Sequence, residues 1–203
     1  AERGEEGDPH VHPCGVEHDE GDPHQETPGP ETPSDHCHAG EPDPHIWLSA
    51  PLLRIQARTI ANALEKTDPP HAIEYRKNLA ALLGDLDAVD ARIRAALAPF
   101  RGQKFYVFHP AFGYFGDTYG LKQEAAEVEG KQPTPRQLRA LLKQAKAEGV
   151  KIIFVQPQFD RRTAEVIAQA IGGAVVPVDA LAKDVLGSLE DAAAKIADAL
   201  KKE

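Results

Sequence analysis

Lys104-Phe105-Tyr106-Val107-Phe108-His109-Pro110 is the stretch that decides the fold. Four large apolar or aromatic side chains follow one another between Gly102 and Pro110, too few for a helix and rich in strand formers, so they read as a short strand. The strand delivers His109 at its C-terminal end. Downstream, Leu121 to Val128 reads as a second, more polar strand. Thr134 then caps a helix that has Pro135 at its start, runs to about Ala147 and stops at Gly149. Val150 to Val155 is a buried strand followed by Gln156-Pro157-Gln158-Phe159. A helix from Arg161 to Ile171 ends at Gly172-Gly173, Ala174 to Val178 is another strand, and Ser188 opens a last helix. Strand and helix alternate, so the expected class is α/β, with a parallel, helix-covered sheet.

Upstream the period changes. Leu52, Leu53, Ile55, Ile60, Ala63 and Leu64 fit a helix from Pro51 to Leu64. Asp68 offers a second cap, with Pro69 behind it, and an apolar stripe from Ile73 to Leu97 continues to Ala98. This second helix, about 28 residues and about 42 Å long, exceeds the usual globular length and suits a linker between bodies. Gly84 weakens its middle, and Pro99 and Gly102 end it.

Residues 1–44 are of another kind. They hold eight prolines and almost no large apolar side chain, too little to offset the entropy of ordering, so a disordered segment is expected. Seven of the nine histidines lie in residues 1–45, interleaved with thirteen acidic residues and both cysteines. His10, His12, His18, His24, His36 and His38 form an auxiliary, low-affinity metal-binding set. Imidazole and thiolate favour zinc, copper or nickel over calcium or magnesium. Cys14 and Cys37 suit either a disulfide or a metal. The expected organisation is therefore a disordered His-rich acidic segment at 1–44, a two-helix linker at 45–100 and an α/β lobe at 101–203.

Charge divides the same way. Residues 1–45 carry −12 and the remainder +3, within a total of −9. An acidic tail draws cations and disfavours nucleic acid or anionic lipid, and the positive charge of the lobe is scattered rather than gathered into a nucleic-acid footprint. No apolar run approaches the length of a membrane helix, and no signal-like apolar region stands near Ala1. Neither a serine nucleophile elbow nor a glycine-rich phosphate loop is present, so the sequence points away from an enzyme.

His109, Gln156 and Asp179 each end an expected strand, and ligands of open α/β sheets bind at those ends. Each residue also has a plainer role open to it. A histidine at a strand end is often a structural hydrogen-bonder, an aspartate there often caps the next turn, and the plainer role for His45 is to end the tail at the turn opened by Asp43-Pro44. Trp47 and Leu48 are expected as core anchors, His71 as solvent-exposed. Phe105, Tyr106, Phe108, Phe112, Tyr114, Phe115 and Tyr119 are expected as core around the site.

Four segments together resemble a known family: Asp43-Pro44-His45-Ile46-Trp47-Leu48-Ser49, Val107-Phe108-His109-Pro110-Ala111-Phe112-Gly113-Tyr114-Phe115, Phe154-Val155-Gln156-Pro157-Gln158-Phe159 and Val178-Asp179-Ala180-Leu181. In order and spacing they are similar to the zinc substrate-binding proteins of ABC transporters, which have two α/β lobes joined by a long rigid helix and hand their metal to a membrane permease. The resemblance implies His45 and His109 as zinc ligands, Asp179 as a carboxylate ligand and Gln156 in no more than an outer role. An amide where some relatives carry Glu favours zinc over manganese. It further implies a periplasmic or extracytoplasmic location, and a His-rich insert just ahead of the Asp-Pro-His motif. A first lobe with another histidine would precede that insert. The sequence opens at the insert, so the expectation is half a cleft, as an excised piece or a natural variant, with an inner face exposed to self-association. The alternative from a different class is a free-standing zinc buffer or metallochaperone whose main site is the tail.

Overall fold

Side chains along Lys104–Val107 (β1) alternate between two apolar layers, because successive residues of a strand face opposite ways. Phe105 and Val107 join Phe154 in one layer, while Tyr106 and Phe108 join Ile153 and Val155 in the other. A strand buried on both faces needs helices on both, and the chain supplies them. The computed structural model describes residues 42–127, 134–158 and 161–201, all within one unit, His38–Glu203.

The elements run in the order α1 (Ala50–Thr67), α2 (Ala72–Leu97), β1, α3 (Gly113–Tyr119), β2 (Lys122–Ala125), α4 (Pro135–Ala147), β3 (Ile152–Val155), α5 (Arg161–Ile171), β4 (Ala174–Pro177) and α6 (Val185–Leu200). The four strands are parallel in the order β2-β1-β3-β4. The α/β class and the helix-covered parallel sheet are thus what the sequence led us to expect. On one face lie Val89, Ile93 and Leu97 of α2 with Leu189, Ala193 and Ile196 of α6; on the other lie Ala145 of α4 with Ala164, Ile167 and Ile171 of α5. Each fully buried Val, Leu or Ile among them contributes roughly 1.5–3 kcal/mol. The C-terminal half of the long helix is therefore part of the lobe's own core, while its N-terminal half leaves Ile73 and Leu82 exposed.

Local chemistry sets the helix ends. The Ser49 hydroxyl caps α1 by accepting from the Leu52 N–H, and Thr134 with Gln137 makes a reciprocal capping box on α4. Several details differ from the sequence-based expectation. The last helix starts at Val185, not Ser188, because the Asp184 carboxylate accepts from the Gly187 N–H at 2.9 Å. A Cβ on Gly187 would come within 2.4 Å of that carboxylate, so a glycine here lets the cap form. The aromatic run after His109 includes a short helix, α3. The second strand is shorter than expected, Lys122–Ala125 rather than Leu121 to Val128.

Among the described residues no helix is long and apolar enough to cross a membrane.

Candidate metal centre

The β1 strand lies between β2 and β3, so the chain leaves β1 toward one side of the sheet and later returns on the other. In open α/β sheets this reversal opens a crevice at the carboxyl ends of the strands. His109 and Gln156 stand there, just past β1 and β3, and Asp179 stands just past β4.

The parallel register that pairs Lys104 with Lys122 and Val107 with Ala125 continues beyond the strands. It places Glu127 beside His109, and the Glu127 N–H donates to the Phe108 carbonyl at 2.9 Å. The Glu127 carboxylate, only 5% exposed, accepts a short bond from His109 Nδ1. On the entering segment, Asp43 Oδ1 accepts from both the backbone N–H of His45, at 2.9 Å, and its Nδ1, at 2.6 Å. Gly113 makes room for this aspartate, since a Cβ there would approach Asp43 Oδ2 to 3.0 Å.

Each histidine therefore commits Nδ1–H to a carboxylate, which fixes the neutral tautomer with its lone pair on Nε2. The two Nε2 atoms face each other 3.4 Å apart. Two imidazole nitrogens on a tetrahedral zinc, with Zn–N near 2.0–2.1 Å, stand about 3.3 Å apart. The spacing suits a shared zinc ion, and the carboxylates behind the rings raise their basicity as ligands.

His45 is held by its neighbours. Its ring meets Trp47 edge to face at 5.4 Å and His109 at 5.2 Å. The Trp47 indole N–H donates to the Ala180 carbonyl at 2.9 Å, Leu48 is buried in the core, and the Ser49 hydroxyl bonds Thr118 at 2.9 Å. Trp47 is half-buried against the core and Leu48 fully so. Six of the seven aromatics expected around the site are buried, and Tyr114 is half-buried.

Gln156 is buried and its Nε2 donates to the His109 carbonyl at 3.1 Å. It touches the His109 backbone rather than its imidazole. Its Oε1 has no hydrogen-bond partner among the described residues, a cost carried inside the rim that holds His109. Asp179 Oδ1 accepts from the Leu181 N–H at 3.0 Å and from Gln158 Nε2 at 2.8 Å. Among the described residues no three His, Cys, Asp or Glu side chains converge as a metal-holding group, so the structure pairs His45 with His109 and sets Asp179 apart. His71 is exposed and bonded to Asp68. The auxiliary set His10, His12, His18, His24, His36 and His38, with Cys14 and Cys37, lies outside the described residues.

Glu127 and Asp43 were not singled out from the sequence. Asp43 sat in the quoted motif, two residues before His45. Glu127 had a weaker signal, an acid near the end of the strand expected beside β1.

The family profile named "Zinc-uptake complex component A periplasmic" matches residues 3–202. The chain belongs to this zinc-uptake component A family. It is 32% identical over 150 residues to the high-affinity zinc uptake system protein ZnuA of Brucella abortus, a match covering 71% of this chain and 45% of that protein. Among solved structures it is similar to a crystal structure of ZnuA, with a TM-score of 0.75 and 41% identity over 77% of this chain and 60% of the other. A ZnuA deletion mutant with zinc bound gives a TM-score of 0.73 at the same identity and coverage. The chain spans under half the length of the Brucella relative. Membership agrees with the resemblance carried by the four motifs.

Proposed function

We propose that this zinc-uptake family chain captures Zn²⁺ and delivers it to the membrane permease of an ABC-type importer, outside the cytoplasm and without catalysis. The observation that carries the proposal is the pair of Nε2 atoms of His45 and His109, 3.4 Å apart, each ring backed by a carboxylate. Zinc is the cargo. The two imidazoles supply half of a tetrahedral shell, Asp179 is the carboxylate that joins them, and water, a tail histidine or a partner chain completes it. An imidazole-rich site with Gln156 rather than a carboxylate behind it suits zinc better than manganese. The segment 1–44 serves as a low-affinity antenna that concentrates zinc near the site. Zinc competes with protons for imidazole, whose reference pKa is about 6.5, so capture by this segment is expected to weaken as pH falls below that value.

The test is calorimetric zinc titration against a competing chelator, using the full chain and a version beginning at Glu41. One tight site is expected in both. His45→Ala and His109→Ala are each expected to weaken it by more than 100-fold, beyond the 10–100-fold typical of losing an outer partner. If tight binding leaves with the tail, and the histidine variants of the lobe change nothing, a zinc buffer with its main site in the tail replaces the transport reading.

A further inference from the structure

We propose that Trp47 is a positioning residue that ties His45 to the Asp179 loop and so holds the Asp179 carboxylate within reach of a zinc ion bound by the histidine pair. This rests on the zinc-capture reading above. The Trp47 ring packs edge-on against His45 at 5.4 Å, and its indole N–H donates to the Ala180 carbonyl at 2.9 Å. Ala180 follows Asp179 directly, and the Leu181 N–H on its other side donates to Asp179 Oδ1 at 3.0 Å. One side chain thus touches the ring of one ligand and the backbone that turns the other. It is the only direct hydrogen bond described between residues 42–49 and the Asp179 loop.

Chemistry makes this link specific. Tryptophan offers a flat apolar body for the imidazole and a single donor at its far edge. That donor meets a carbonyl in a loop whose aspartate already spends Oδ1 on Leu181 and Gln158. Both of those bonds engage Oδ1, which leaves Oδ2 as the oxygen to present to a cation. Among the described residues Asp179 does not join the histidine pair as a three-membered ligand group, so its reach toward the pair depends on how this loop is anchored. The indole bond supplies that anchor.

The deciding experiment is a double-mutant cycle on zinc affinity in the full chain. Trp47→Phe keeps the ring and removes only the donor and one ring's width, and replacement of the indole by its benzothiophene isostere removes the N–H alone. We expect either change to weaken zinc about tenfold in the parent and less than twofold in the Asp179→Asn chain, because the lost bond acts through that carboxylate. Bound cobalt(II), whose visible spectrum follows the ligand set, is expected to give the same altered band in Trp47→Phe as in Asp179→Asn. Equal losses in both backgrounds, or a parent-like cobalt band in Trp47→Phe, would overturn the positioning role while leaving the zinc site intact. A parent chain with no tight zinc site outside the tail would overturn both readings together.

Discussion

His45 and His109 present the same nitrogen to the same point, yet they are held in different ways. His109 grows from the sheet. Its carboxylate partner Glu127 is supplied by strand register, its carbonyl is held by Gln156, and it sits within the buried rim. His45 lies on a strap of residues 43–49 that belongs to no sheet. Asp43 lies two residues away in sequence, while Trp47, Leu48 and Ser49 pin the strap to the Ala180 loop, the core and Thr118. One imidazole is set by backbone pairing and the other by side-chain anchors. The pair therefore has one half fixed by the sheet and one held only by side-chain contacts.

The largest expected break in this comparison comes from Leu48→Ala. Leu48 is 2% exposed at the heart of the core, and truncation of a buried leucine costs about 2–5 kcal/mol. If the strap is held by its anchors, this change lowers both the melting midpoint and zinc affinity. A stability loss without any affinity loss would mean that His45 keeps its place by other means.

Glu127→Gln and Asp43→Asn sharpen the same contrast. Loss of an outer carboxylate typically costs 10–100-fold in metal affinity. We expect Glu127→Gln near the top of that range, about 100-fold, since it is buried and fixed by register. Asp43→Asn belongs near the bottom, about tenfold, because the strap can readjust. Chelator competition measures both, and a larger loss at Asp43 would reverse the assignment of rigid and adjustable halves.

The smallest effect lies away from the rim, where Glu148 meets Lys104 and Tyr106. Burial pushes the Glu148 carboxyl upward, but hydrogen bonds from Lys104, Tyr106 and Gln144 outweigh it and hold the group below the ordinary carboxylate value. The sign follows: a depressed folded-state pKa stabilises above the unfolded value of about 4.3, and that contribution is lost as pH falls through the folded value. Glu148→Gln is expected to remove on the order of 1 kcal/mol or less at neutral pH, given its partial exposure. It flattens the acid limb of a stability–pH curve and leaves zinc affinity unchanged. An altered affinity would show that strand β1 transmits strain to His109.

Leu48 illustrates what could be read early and why. A large apolar pair, Trp47-Leu48, directly after a proline-rich polar tract marks an anchor by composition alone, and the structure buries Leu48 and packs Trp47 against the core. Ser188 illustrates the opposite case. It has the chemistry of a cap, but Asp184 four residues earlier competes for the role and wins because Gly187 lets its carboxylate approach the backbone. Such competition is decided by clearances below an ångström, which residue type does not encode.

By itself the sequence determined the alternation of strand and helix, the long helix before the sheet, and the placement of His109, Gln156 and Asp179 at strand ends, because period and capping are local properties. Its motifs singled out His45 and His109 together. Only the tertiary structure decided that their Nε2 atoms face each other at 3.4 Å, that Glu127 stands behind one ring, and that Trp47 reaches from the His45 ring to the loop after Asp179. Those relations depend on cross-strand register and on packing between residues up to 133 positions apart, where many arrangements share one local pattern and burial of the common core selects among them.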